Sequence, residues 1–92
     1  MERKKPLRAY LVSIGTEKNS DPIMVVMDEN LESAYSNVEK YFKGRSWRHS
    51  RKGIPWHFNR FEVFKRKPYI MFSARDSLGG FMFFIRPIKL VR

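Results

Sequence analysis

Between Lys43 and Lys67 the chain gathers nine lysines and arginines against one carboxylate, Glu62, and threads them with Trp47, His49, Trp56, His57 and Phe58. Guanidinium and ammonium groups bind phosphate oxygens, the guanidinium in bidentate fashion. Flat aromatic faces stack on unpaired bases, each stack worth about 1–3 kcal/mol. Cations and rings in one stretch therefore describe a nucleic-acid contact, DNA or RNA. The expected phosphate ligands are Arg45, Arg48, Arg51, Lys52, Arg60, Lys65, Arg66 and Lys67, with Trp47 and Trp56 to stack or wedge. By its neighbours Trp56, after Pro55 and ahead of Phe58 and Phe61, is the more inward ring, and Trp47, between Ser46 and Arg48, the more exposed. If both rings cap a core instead, the cations remain as a solvated basic rim. The triplet Lys65-Arg66-Lys67 suits a grip on a duplex backbone. It equally suits a charged guard beside the aggregation-prone Tyr69–Phe72.

Two histidines, His49 and His57, sit in the same stretch. With Arg48, Arg51 and Tyr69 they are the residue types of a small metal-independent ribonuclease, which moves protons and stabilises charge around a phosphate. As zinc ligands they match no known spacing, and the absence of cysteine leaves only Asp76 or Glu62 to complete a set in a strongly positive field. No metal and no cofactor is expected. The chain also lacks a phosphate-binding glycine loop, a dinucleotide fingerprint, a nucleophile elbow and a paired-carboxylate site, so the expectation is a protein that is not an enzyme.

The charge balance carries the same message. The 92 residues sum to +10, but residues 1–42 hold six Lys/Arg and seven Asp/Glu, whereas residues 43–92 hold thirteen and two. Such an imbalance raises a potential of several kT over part of the surface and selects an anionic partner. Nucleic acid is the expected one. An acidic protein or ribonucleoprotein is the alternative, bound and inhibited by a small accessory protein of the viral or mobile-element kind. No apolar run reaches membrane-spanning length, and the stretch after Met1-Glu2-Arg3-Lys4-Lys5-Pro6 is too short for a signal peptide. With no cysteine the chain suits a reducing compartment, and the cytoplasm is the expected location.

The elements that must position these residues follow from periodicity. Residues 1–6 form a loose basic arm. Ala9–Ile14 and Ile23–Met27 read as strands joined by the turn-rich Thr16–Pro22, hence an antiparallel hairpin. Leu31, Ala34, Tyr35, Val38 and Phe42 make one apolar stripe on a helix over about 30–43. Asp28 or Asn30 would be its N-cap, and Gly44 its left-handed C-terminal residue. Its outer face is acid-rich, the wrong sign for a helix in a DNA groove. Residues 44–59 show neither period and are expected to be one long basic, aromatic loop. Three strands follow, at about 60–66, Tyr69–Ala74 and Phe81–Ile85, the last two joined across Arg75–Gly80. Pro87 demotes Ile88–Val91 to an edge or tail. Apolar residues on both faces of Phe81–Ile85 call for two covers: the helix, and either the tryptophan loop or a second copy of the chain. The fold class expected is α+β, a single domain in which one helix packs on a face of an antiparallel sheet, in the order ββαβββ.

Overall fold

The first two apolar runs pair because the four residues between them close on themselves. Thr16 N donates to Asn19 O at 2.9 Å, and Asn19 N donates to Thr16 Oγ1 at 3.0 Å. Gly15 enters this turn at φ +135, where a Cβ would stand 2.3 Å from Asn19 O. In the computed structural model, which describes residues 6–49 and 53–89, strands β1 (Arg8–Gly15) and β2 (Ser20–Asp28) therefore run further into the turn than the apolar residues alone suggest. Their register slips once: Val12 faces Met24 and Ser13 faces Pro22, leaving Ile23 as the extra residue of a bulge.

Helix α1 (Leu31–Lys43) starts as expected, with Asn30 Oδ1 accepting from Ser33 N at 2.8 Å. Its end departs from expectation. Gly44 sits at φ −85 rather than in the left-handed region, its N–H bonded to Lys40 O at 3.0 Å, so the last turn closes without a change of hand. Asp28 is not the cap. It is buried at the strand end, where Glu29 N and Asn37 Nδ2 donate to its two oxygens.

Strands β3 (Arg60–Lys65), β4 (Ile70–Asp76) and β5 (Gly79–Ile88) complete a five-stranded antiparallel sheet in the order β2-β1-β5-β4-β3. The β4–β5 turn is two residues, Ser77 and Leu78, tightened by Asp76 Oδ1 accepting from Leu78 N at 2.7 Å. Arg75 and Gly80, which read as loop, are paired strand residues. Pro87 lies inside β5 opposite Tyr10. β4 reaches only as far as Ile85, so at Pro87 the strand has a neighbour on the β1 side alone, and a residue without an N–H is tolerated there.

The register sorts side chains onto two faces. Toward the helix point Tyr10, Val12 and Ile14 of β1, Phe81, Phe83 and Ile85 of β5, Ile70, Phe72 and Ala74 of β4, and Phe61 and Val63 of β3. Ala34, Tyr35, Val38 and Phe42 press onto them from α1, with Leu31 half-buried at the margin. Tyr35 meets Phe72 edge-on at 5.0 Å. The fold is thus α+β with the strand order ββαβββ, one helix on one face of one sheet.

Candidate nucleic-acid interface

The loop between α1 and β3 is more tightly held than its sequence suggests. Trp47 N donates to Trp56 O at 2.8 Å and Trp56 N to Trp47 O at 2.7 Å, a one-rung antiparallel bridge. Below it Phe58 is buried, His57 N donates to Asp76 Oδ2 at 3.1 Å, and Asn59 N to Arg75 O at 2.9 Å. Both indoles are half-buried and both face the core. Trp47 lies 5.5 Å from Phe42, 5.8 Å from Phe83 and 5.9 Å from Phe81, and Trp56 lies 4.8 Å from Phe81 and 6.0 Å from Phe58. Trp47, expected to be the more exposed ring, is thus held inward against the core as Trp56 is, because the bridge turns them inward together. They also cap the helix side of β5, not its other face.

Around this cap the predicted phosphate ligands divide. Arg45 lays its guanidinium 4.0 Å over the Tyr41 ring, and Arg48 is exposed. Arg51 and Lys52 lie outside the described residues. The triplet does not act as one grip. Lys65 turns over Tyr69 at 4.4 Å, Arg66 crosses to the helix side and pairs with Glu32 at 2.6 Å, and Lys67 stands exposed in the turn. The set of ribonuclease-type residues is divided too: His49 packs beside Trp47 and Phe81 on the helix side, whereas Tyr69 packs on Phe84 from the opposite face.

That opposite face is open among the described residues. Across β3, β4 and β5 it presents Arg60, Glu62, Phe64, Lys65, Met71, Ser73, Arg75, Met82, Phe84 and Arg86. The second cover of β5 is made by the sheet's own side chains: Phe84 is screened by Tyr69 at 6.2 Å and by the Arg86 guanidinium at 4.9 Å. The β3 bulge, where the partners pass from Val63–Phe72 to Lys65–Met71, turns Phe64 outward and leaves it 50% exposed. Beside Phe64 lies a shallow concavity of about 270 Å³ lined by Glu62, Ser73, Arg75 and Met82.

Electrostatically this face is unusual in how its cations are held. Arg60 and Arg75 stand directly opposite each other across β3 and β4, a like-charge pair that costs stability on its own. Arg75 leans over Gly80 on the β5 side, where the absence of a side chain makes room; a Cβ at Gly80 would lie 2.5 Å from Arg75 Cγ. Arg86 rests on two rings, 4.9 Å from Phe84 and 4.8 Å from Tyr69, and Lys65 shares the Tyr69 ring. Each also donates one hydrogen bond to a hydroxyl, Lys65 Nζ to Tyr69 Oη and Arg86 Nη1 to Ser20 Oγ, both at 3.4 Å, and neither is neutralised by a carboxylate among the described residues. Among the described residues the ion pairs are Lys43–Glu39 at 2.7 Å and Arg66–Glu32 at 2.6 Å, both on or against α1. Glu62 is the one carboxylate of the open sheet face.

Phe64, Tyr69, Arg75 and Arg86 are the residues of this open face that a loop-centred reading leaves out. Strand alternation sets Arg86 on the same face of β5 as Met82 and Phe84. What it could not supply was the bulge that exposes Phe64 and the pairing that sets Arg75 against Arg60. Comparison with known protein families, with curated protein sequences and with solved structures finds no match to this chain.

Proposed function

We propose that this chain is a non-enzymatic module that binds single-stranded nucleic acid across the open face of its sheet. One observation carries the reading: four cations, Arg60, Lys65, Arg75 and Arg86, share an uncovered sheet face with an exposed Phe64, and among the described residues none of them pairs with a carboxylate. A flat sheet with an outward ring offers a base a stacking surface and the backbone a row of donors. A helix suited to a duplex groove is missing among the described residues, since α1 carries Glu32 and Glu39 on its polar side.

The test is fluorescence anisotropy with a labelled mixed-sequence single strand and the matching duplex, over a salt series. With four phosphates neutralised, the log–log slope on single strand is about −2.8, so affinity falls about fiftyfold between 50 and 200 mM salt. Arg60→Gln with Arg75→Gln should halve the slope, to about −1.4. Phe64→Ala should weaken binding by about 1–3 kcal/mol at constant slope. An unchanged slope in the double variant, or tighter binding to duplex than to single strand, would rule this interface out.

A further inference from the structure

The free edge of β2 borders a second feature, on the helix side of the sheet. β2 is an outer strand, so alternate N–H and C=O groups along its free side point away from β1. Its start is guarded by Asp21, by Pro22 (which has no N–H) and by the bulge at Ile23. From Met24 to Met27 that guard is missing, and Val25 and Met27 are 54% and 46% exposed. Alongside runs a groove of about 440 Å³ formed by Met24, Val26, Asn37, Val38, Tyr41 and Trp47.

The two ends of the groove differ in charge. Trp47 packs on Phe83, Phe83 neighbours Ile14, and Ile14 pairs with Asp21, so the Tyr41–Trp47 end lies toward the start of β2. Here Arg45 is exposed, stacked over Tyr41, with no carboxylate within 4.0 Å among the described residues. At the far end Asp28 is already engaged by Asn37 and by Glu29 N. A free strand edge beside an apolar groove under a helix is the geometry in which an extended peptide adds as a further strand: backbone bonds hold it and alternate side chains fill the groove. We propose that this groove binds an extended segment of another protein, laid antiparallel to β2, apolar at alternate positions and carrying carboxylates where its C-terminal end meets Arg45. A second copy of the chain is a poorer occupant, since two domains of formal charge +10 repel and β2 offers only Met24–Met27 free of proline and bulge. The site does not rest on the nucleic-acid reading: none of Arg60, Lys65, Arg75 and Arg86 borders it.

The experiment is an amide-shift titration of ¹⁵N-labelled full chain with two synthetic peptides, Ser-Val-Thr-Val-Thr-Val-Asp-Asp and its counterpart ending in Lys-Lys. Shifts are expected at Met24–Met27, Asn37 and Tyr41, with the acidic peptide about three- to fivefold tighter, the strength of an exposed ion pair. Arg45→Glu should reverse the preference. Asn37→Trp, which fills the groove, should abolish binding of both peptides; if that variant misfolds, Arg45→Glu still decides. Arg60→Gln with Arg75→Gln should bind the peptides as the parent does, which separates this site from the sheet face. No shifts at millimolar peptide, shifts confined to the open face, or an unreversed preference in Arg45→Glu would overturn the proposal. Concentration-dependent self-association broadening β2 amides in the absence of peptide would overturn it in favour of a second copy.

Discussion

Replacing Trp47 with alanine tests whether its ring belongs to the core or to a ligand surface. The indole touches Phe42, Phe58, Phe81 and Phe83 at centroid distances of 5.5, 5.8, 5.9 and 5.8 Å, and is half-buried. Emptying a fully buried tryptophan site costs about 3–5 kcal/mol. A half-buried ring gives up roughly half of that, and its aromatic contacts bring the expected loss to about 2–3 kcal/mol. In a domain of this size that lowers Tm by about 10–20 °C. The backbone bridge to Trp56 needs no side chain and should persist. Thermal melts by circular dichroism, paired with single-strand binding measured well below the midpoint, give both readouts. Expected are the large fall in Tm and an affinity within about threefold of the parent, less than the loss of one base stack would produce. Oligonucleotide should also leave the Trp47 emission of a Trp56→Phe variant unquenched. A Tm within a few degrees of the parent together with a loss of affinity of tenfold or more would refute the core assignment and return Trp47 to the ligand.

Three further outcomes follow from the packing. Val38→Ala, at a wholly buried site under α1, should cost about 1–2 kcal/mol in urea denaturation, whereas Ser36→Ala on the exposed face should cost under about 0.5 kcal/mol. Asn37→Ala should fall between them, at about 1 kcal/mol, because it leaves an Asp28 oxygen without its donor. Gly80→Ala places a methyl 2.4 Å from Ala74 O and 2.9 Å from Arg75 Cα, so backbone must move; a loss of about 1–3 kcal/mol and weaker single-strand binding are expected. Burial pushes the Tyr35 hydroxyl up from its ordinary 10.0 to about 12, with the Glu39 carboxylate adding to the shift. The folded state therefore holds this proton more tightly than the unfolded one, and its contribution, complete below pH 10, is lost as pH rises toward 12. Denaturant midpoints of Tyr35→Phe should fall less steeply than the parent's across that window.

Helix α1 was legible because its signals are local: Asn30 caps, the apolar residues repeat at helical spacing, and Lys40 and Lys43 load the last turn. The strands were legible as apolar runs but their ends were not. Ser20–Pro22 and, flanking the Ser77–Leu78 turn, Arg75, Asp76, Gly79 and Gly80 read as loop but are recruited by the ladder, and only a partner strand decides that. The two-faced character of Phe81–Ile85 was readable, yet its explanation was not, because Phe84 is covered by Tyr69 and Arg86 from within the sheet. Of the candidate site, residue types were readable and direction was not. Arg60 and Lys65 reach the open face, Arg66 is spent on Glu32, and the tryptophans turn inward through a backbone bridge of a kind that leaves no mark in composition.

The seam between β1 and β5 sets the order in which this molecule can assemble. β1 with β2, and β4 with β5, are neighbours in sequence and pair across turns of four and two residues. Ile14 must instead find Phe83, and Ala9 must find Ile88. Closing so long a loop spends entropy before any contact repays it, so the two hairpins form early and the seam zips last. Read in reverse, the seam is where a thermal fluctuation first parts the sheet. Hydrogen exchange at Val12 and Ile85 then reports the parting of the seam, while the amides of each hairpin turn report only local fraying.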